Sequence, residues 1–143
     1  MTNRLLLFAW CTANIAMLGS LYLSEIMGFV PCTLCWYQRI LMYPLVILLG
    51  IAAFREDKTV YLYTLPFSLL GAAIALYHYI TQKSPVISEI AACNTDIPCS
   101  GEYINWFGFI TIPFLSLVAF VIISILMFIL YKQNKTTEDE ATA

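Results

Sequence analysis

Four long stretches without a charged residue constrain this chain more than any other feature. They cover residues 5–24, 40–54, 59–82 and 103–131, and uncharged residues 36–38 lengthen the second one backwards. A helix that crosses a bilayer needs roughly 20 mostly apolar residues, so each stretch has about the length of a membrane span. Of the 143 residues, 61% are hydrophobic and only 11% are charged, which is more apolar surface than a soluble domain of this size can bury. We therefore predict an all-α membrane protein, a bundle of four transmembrane helices.

The predicted bundle is a single domain, residues 1–131. Its four spans are expected at about residues 5–24, 36–54, 59–82 and 107–131. The first apolar run is longer than the core of a signal peptide and no A-x-A site follows it, so we interpret it as a retained helix. The polar tail, residues 132–143, is expected to be disordered. The net charge of −2 does not favour a nucleic-acid partner.

Lysine and arginine residues predict the orientation, because they are enriched in cytoplasmic loops. With four spans, both termini lie on one side of the membrane. Five positive residues fall on that side: Arg4, Arg55, Lys58, Lys132 and Lys135. Only Arg39 and Lys83 fall on the other side. We therefore expect both termini and the FREDK turn in the cytoplasm, and two loops, around residues 25–35 and 83–102, on the outside.

Four of the five cysteines lie in these outer loops. Cys32 and Cys35 form a C-x-x-C motif where the chain enters the second span, and Cys93 and Cys99 lie in the second loop. Disulfides persist on the outer side of a cell membrane. A C-x-x-C disulfide closes a very small loop and stabilises little as a staple, whereas the motif at a helix N-terminus makes a thiol reactive. We interpret both pairs as redox-active, and Cys11 in the first span as a small packing residue.

Other interpretations of the cysteines remain open. A membrane subunit without enzymatic activity would use both pairs as structural disulfides. A zinc site with four cysteine ligands would need closer spacing than the five residues between Cys93 and Cys99. A metal transporter would line its spans with sulfur or carboxylate groups, and covalent haem would need a histidine where Trp36 stands. We expect no metal site.

Two further side chains indicate what the dithiol reacts with. Arg39 follows Cys35 by four residues, so both lie on one helix face, where a guanidinium can orient an acceptor carbonyl and stabilise negative charge. His78, the only histidine, precedes Gln82 by four residues and lies at a membrane depth similar to that of Arg39. A quinone has polar ends and a lipid-soluble tail, so it suits a site between them. Alternatively, Arg39 extends to lipid headgroups and His78 is a hydrogen-bonded packing residue.

The segment 101–109, GEYINWFGF, mixes aromatic and polar residues ahead of the last apolar run. It predicts either a short interfacial helix before the fourth span or the aromatic belt of that span. Both alternatives stay open.

The motif PCTLCWYQR, residues 31–39, resembles the P-C-x-L-C…R signature of the DsbB-type disulfide bond formation proteins. The similarity extends to four spans, a dithiol in each outer loop, a histidine near the end of the third span and a WFGF…P entry to the fourth. The compact second loop resembles the Bacillus-type (BdbC) branch. The resemblance implies a thiol–quinone oxidoreductase of the bacterial cytoplasmic membrane, with ubiquinone or menaquinone as electron acceptor. It also implies a soluble thioredoxin-fold, DsbA-like thiol oxidase as the partner on the outer side.

The resemblance further implies a division of labour between the pairs. Cys93 forms the mixed disulfide with the soluble oxidase, and Cys99 is its pair. Electrons then pass to Cys32 and Cys35.

At the inner pair, the resemblance implies that Cys35 meets the quinone, that Arg39 assists and that His78 belongs to the same site. Vitamin K epoxide reductases also couple a C-x-x-C motif to a quinone in a four-helix bundle. Their motif belongs to a late span, whereas here it opens the second.

Overall fold

The computed structural model describes residues 2–28, 30–84 and 111–142. Within these ranges the chain forms helices and no strand. The four long helices are α1, Thr2–Leu21; α2, Thr33–Arg55; α3, Tyr61–Lys83; and α4, Ile112–Thr142. A π-helical turn, Tyr22–Ile26, extends α1. All four helices are long and apolar enough to cross a membrane, which confirms the prediction of an all-α protein with four spans.

The second span begins earlier than the sequence indicates. α2 starts at Thr33 rather than at residue 36, and Cys32 is its N-cap residue. The C-x-x-C motif therefore runs from the N-cap into the first turn of α2.

At the C-terminus the structure differs from the predicted disordered tail, because α4 continues without a break to Thr142. The tail contains no glycine or proline and extends an existing helix, so it needs no new helix nucleus. The Thr136 hydroxyl donates to the Lys132 carbonyl at 3.0 Å, a hydrogen bond within the helix. The prediction of a disordered tail, which depended on the polarity of these residues, is therefore wrong.

Two sequence predictions lie outside the described residues. One is the interfacial segment 101–109, and the other is the second cysteine pair, Cys93 and Cys99.

The helices form a closed bundle in which each contacts the next, α1 with α2, α2 with α3, α3 with α4, and α4 with α1. Neighbours run antiparallel. The Asn3 amide near the start of α1 donates to the Glu56 carboxylate at the end of α2, at 3.2 Å. The rings of Tyr61, at the start of α3, and Tyr131, in the later part of α4, lie 5.3 Å apart. The four spans therefore cross in alternating directions.

The bundle is apolar both inside and outside. Leu45 and Phe120 are completely buried at its centre. On the outer surface Ile15 is 72% and Phe54 78% exposed, which suits lipid as the surrounding solvent. Cys11 is also exposed, contrary to its interpretation as a buried packing residue.

Small residues allow α3 and α4 to approach closely. A Cβ atom added at Gly71 would overlap the ring of Phe120, so this contact requires glycine. The hydroxyl groups of Ser68 and Ser124 lie 2.9 Å apart across the same interface. Small residues and interhelical hydrogen bonds are typical of helix packing in membranes.

Candidate functional site

The C-x-x-C motif forms the start of α2. Cys32 caps the helix in an extended conformation, with φ −72° and ψ 171°. Its carbonyl accepts a hydrogen bond from the Trp36 amide at 3.1 Å, which closes the first turn. This turn brings the sulfur atoms of Cys32 and Cys35 to 3.2 Å from each other. A disulfide has an S–S distance of about 2.05 Å, so a small movement suffices to join the two thiols.

Cys32 faces α3. Its sulfur lies 3.6 Å from Nε2 of His78, and Nδ1 of the same ring lies 3.0 Å from Nε2 of Gln38. Because the Gln38 amide nitrogen is a donor, Nδ1 accepts, and a neutral His78 carries its proton on Nε2, directed at the Cys32 sulfur. All three residues are buried, with at most 7% of each exposed. His78 is therefore placed to stabilise a thiolate on Cys32.

The surroundings of Cys32 lower the pKa of its thiol below the ordinary value. The main cause is a hydrogen bond from the Cys35 thiol, burial acts against it, and the hydrogen bond and electrostatic effect of His78 lower the pKa further. A thiolate is the reactive form in disulfide exchange, and a sulfur with a low pKa leaves readily. The environment therefore favours Cys32 as the ionised member of the pair.

Cys35 lines a cavity of about 500 Å³ between α1, α2 and α4. Apolar side chains from all three helices form its walls, among them Ile15, Met42 and Leu115. Gln38 and Arg39 line the same cavity next to Cys35 and make this part of it polar. The volume lies in the range of roughly 300–1,000 Å³ that is usual for small-molecule sites. The cavity thus has the size and the lining to hold a small, mostly apolar molecule.

Arg39 is held at this cavity by α1. Its Nε donates to the Ser20 hydroxyl and its Nη2 to the Ser20 carbonyl, both at 2.8 Å. The guanidinium carbon lies 5.7 Å from the centre of the Trp36 ring. Only 9% of Arg39 is exposed. A buried charge at membrane depth is costly and typically marks a functional site.

The structure brings together four of the six sequence-predicted site residues. Cys35 and Arg39 line one cavity, which agrees with their predicted position on a common helix face. His78 contacts Cys32 and is not among the described residues that line this cavity. Its predicted contact with a quinone stays a prediction, while its observed contact is with a thiol.

Sequence reasoning missed Ser20 and Gln38. Gln38 offered a signal, because it is a polar residue in an apolar helix, three residues after Cys35. Ser20 offered none, since serine is common in membrane helices and its role depends on how α1 packs against α2.

The site also contains three side chains of the types that bind metal ions, two cysteines and a histidine. The sulfur atoms of Cys32 and Cys35 and a ring nitrogen of His78 all lie within 4.8 Å of one another.

Comparison with known proteins gives the family. A family model described as disulfide bond formation protein DsbB matches residues 2–130. The chain belongs to the DsbB family. It is similar to disulfide bond formation protein C of Bacillus subtilis, with 58% identity over 91% of this chain and 96% of the relative. It is also 54% identical to a probable disulfide formation protein C of Halalkalibacterium halodurans, over 92% of this chain and 96% of the relative. No solved structure matches it.

Family membership agrees with the architecture described above. A member of the DsbB family with four helices able to span a membrane is a multi-pass membrane protein. The family and these relatives are disulfide formation proteins, which indicates a redox role for this chain. The similarity to the Bacillus protein over most of both chains confirms the resemblance to the Bacillus-type branch.

Proposed function

We propose that the protein is a thiol–quinone oxidoreductase that reoxidises a soluble thioredoxin-fold thiol oxidase outside the cell membrane. The observation that carries this proposal is the position of Cys35, whose sulfur lies 3.2 Å from the Cys32 sulfur and which lines a large apolar cavity. In the proposal, Cys32 takes part in thiol exchange and Cys35 faces the lipid-soluble acceptor.

The residues around the cavity fit a quinone. A quinone is a flat ring with a carbonyl at each end and an apolar tail, and the cavity combines apolar walls with the buried Arg39 guanidinium next to Cys35. Arg39 would donate to a carbonyl oxygen, and Ser20 fixes the orientation of its side chain. When bound, the quinone supplies the capacity to accept two electrons and two protons.

The residues of this chain would carry out the thiol half of the reaction. Oxidation of the dithiol forms one S–S bond between Cys32 and Cys35 and releases two electrons and two protons. The positive charge of Arg39 stabilises negative charge that develops at the cavity end of the pair. On the other side, His78 stabilises the Cys32 thiolate, which is the sulfur that closes the disulfide.

Cys93 and Cys99 would collect the electrons. In the proposal Cys93 forms the mixed disulfide with the soluble oxidase, Cys99 completes the second pair, and electrons then pass to the Cys32–Cys35 disulfide. The most oxidising thioredoxin-fold dithiols have potentials of about −120 mV, and about 30 mV corresponds to 1.4 kcal/mol for two electrons. Regenerating such a partner requires a strong acceptor, which supports a quinone as the terminal oxidant.

The proposed location is the cytoplasmic membrane of a bacterial cell, with both termini in the cytoplasm. The relatives with high identity come from Bacillus and Halalkalibacterium, and the lysine and arginine distribution supports this orientation.

The proposal is tested by following quinone reduction by absorbance, using purified protein in detergent and a reduced thioredoxin-fold oxidase. Wild type and the control Cys11→Ser, which leaves both pairs intact, are expected to turn over. Cys35→Ala and Cys93→Ala are each expected to stop turnover, because each breaks one pair. Quinone reduction that survives both substitutions would overturn the proposal and leave the cysteines with a structural role.

A further inference from the structure

The inner redox pair is part of a three-residue cluster that includes a histidine. The Cys32 sulfur lies 3.2 Å from the Cys35 sulfur and 3.6 Å from Nε2 of His78. All three ligand atoms lie within 4.8 Å of one another. Two thiols and an imidazole are the ligands that Zn²⁺ and related soft cations prefer in proteins.

Two of the three distances between ligand atoms match a tetrahedral site after a small adjustment, and the third, between the Cys35 sulfur and the His78 ring, is at most 4.8 Å. Zn²⁺ binds sulfur at about 2.3 Å and imidazole nitrogen at about 2.0–2.1 Å, so ligand atoms in a tetrahedron lie roughly 3.5–3.8 Å apart. The observed sulfur–nitrogen distance of 3.6 Å already falls in this range. The sulfur–sulfur distance of 3.2 Å must lengthen by about 0.5 Å, which a rotation of one Cys side chain in the first turn of α2 can provide.

We infer that the reduced form of the protein binds one Zn²⁺ ion, or another thiophilic divalent cation, through Cys32, Cys35 and His78. The fourth position of the tetrahedron would be taken by a water molecule or a small anion. The site differs from a four-cysteine zinc site, because it uses only the inner pair and takes its third ligand from α3.

Gln38 can support the metal site indirectly, through a hydrogen bond to the second ring nitrogen of His78. It lies 3.0 Å from Nδ1 of His78, on the side of the ring away from Cys32. When Nε2 binds a metal, the proton of a neutral His78 must sit on Nδ1, and the Gln38 amide can rotate so that its oxygen accepts that proton. A metal-binding histidine almost always has such a partner for its second nitrogen, and loss of the partner typically lowers metal affinity about 10–100-fold.

Metal binding at this cluster would depend on the redox state. The reduced pair binds the cation as two thiolates and releases the protons that the thiols held, and no electron is transferred. Oxidation of the pair joins the two sulfurs and removes two of the three ligands, so the metal must leave. A bound cation would therefore block disulfide formation at Cys32–Cys35 until it is removed. This inference requires only the reduced dithiol and His78, so it stands whether or not a quinone is the acceptor.

The test uses Co²⁺ as a spectroscopic probe of the full-length protein in detergent. The variant Cys93→Ala/Cys99→Ala serves as the background, so that only the inner pair can contribute sulfur ligands from the two redox pairs. The reduced protein is expected to bind one Co²⁺ per chain with thiolate charge-transfer and tetrahedral d–d absorption, and an excess of Zn²⁺ should displace it. Oxidation of the same sample should abolish the spectrum, which provides a control without any further substitution.

Variants in this background assign the ligands. His78→Ala should weaken Co²⁺ affinity by about 100-fold or more, Gln38→Ala by about 10–100-fold, and Cys11→Ser should leave it unchanged. A spectrum that is absent, that persists after oxidation or that is unchanged in His78→Ala would each overturn the three-ligand site. Because no outcome involves quinone reduction, a failure of this site and a failure of the proposed function are distinguishable.

Discussion

At the scale of single residues, the polar groups of the site form two separate hydrogen-bonded pairs. Arg39 is held by Ser20 of α1, and His78 is held by Gln38 of α2. Buried polar groups require such partners, because an unpaired one at membrane depth is costly. Ser20 and Arg39 line the cavity, whereas His78 contacts the Cys32 sulfur, so we expect substitutions of Ser20 and of His78 to affect different steps.

The first prediction concerns Ser20→Ala, which removes the hydroxyl that accepts from Arg39 Nε but keeps the backbone carbonyl that accepts from Nη2. A hydrogen bond to a charged group contributes roughly 1.5–3 kcal/mol. We expect the KM for quinone to rise about 10-fold, measured in the steady state. Ser24→Ala is the matched control, since the Ser24 hydroxyl donates to the Leu21 carbonyl within its own helical segment. Equal KM values in the two variants would contradict a positioning role for Ser20.

A second prediction separates two roles for His78. Because His78 contacts the Cys32 sulfur, His78→Ala should slow oxidation of the soluble thiol oxidase about 10-fold while the KM for quinone changes less than about 2-fold. Both values come from the same steady-state assay, and thermal unfolding confirms that the variant is folded. A raised KM with an unchanged maximal rate would instead place His78 at the quinone, as the sequence predicts.

At the scale of helices, the four helices could be predicted from the sequence, whereas most of the contacts between them could not. Four apolar stretches were sufficient to predict α1 to α4, because spanning length is a local property of the chain. The rotation of each helix was not predictable, since lipid-facing side chains such as Phe54 are as apolar as the buried Leu45 and no polar face marks the core. The position of Cys35 and Arg39 on one cavity wall was predictable, because it follows from their spacing within one helix. The contact of His78 with Cys32 spans 46 residues and depends on that rotation.

The interface between α3 and α4 yields a third prediction. Gly71→Ala places a Cβ atom against the Phe120 ring, and overpacking of this kind costs about 1–3 kcal/mol. We expect the free energy of unfolding in detergent to fall by that amount. Gly19→Ala is the control, because a Cβ atom there meets nothing within 4 Å. If the contact is the cause, Phe120→Leu should restore part of the stability lost in Gly71→Ala. Equal stability of Gly71→Ala and Gly19→Ala would refute the packing argument.

At the scale of the whole molecule, the bundle places a dithiol between two media. The antiparallel arrangement puts the start of α2, with Cys32 and Cys35, at the end of the bundle opposite the Arg55–Lys58 turn. The cavity beside Cys35 opens among helices whose outer faces suit lipid. In the proposed function this position lets electrons arrive from thiols in water and leave to an acceptor in the membrane.

The orientation of the bundle gives a fourth prediction. Five lysine and arginine residues on one side against two on the other predict cytoplasmic termini. A reporter enzyme that is active only outside the membrane should therefore be inactive when fused after Ala143 and active when fused into the loop after Lys83. The reverse pattern would invert the topology and would contradict the proposed outer location of both cysteine pairs.

The central claim is that the Cys32–Cys35 dithiol itself delivers electrons to a quinone. The most direct test is a single-turnover measurement on the variant Cys93→Ala/Cys99→Ala, in which the inner pair is first reduced and then mixed with excess quinone. We predict one quinol formed per protein chain together with one Cys32–Cys35 disulfide, and neither product when Cys35→Ala is added. If the reduced inner pair forms no quinol while wild type does so in the complete system, electrons reach the acceptor by another route and the account is wrong.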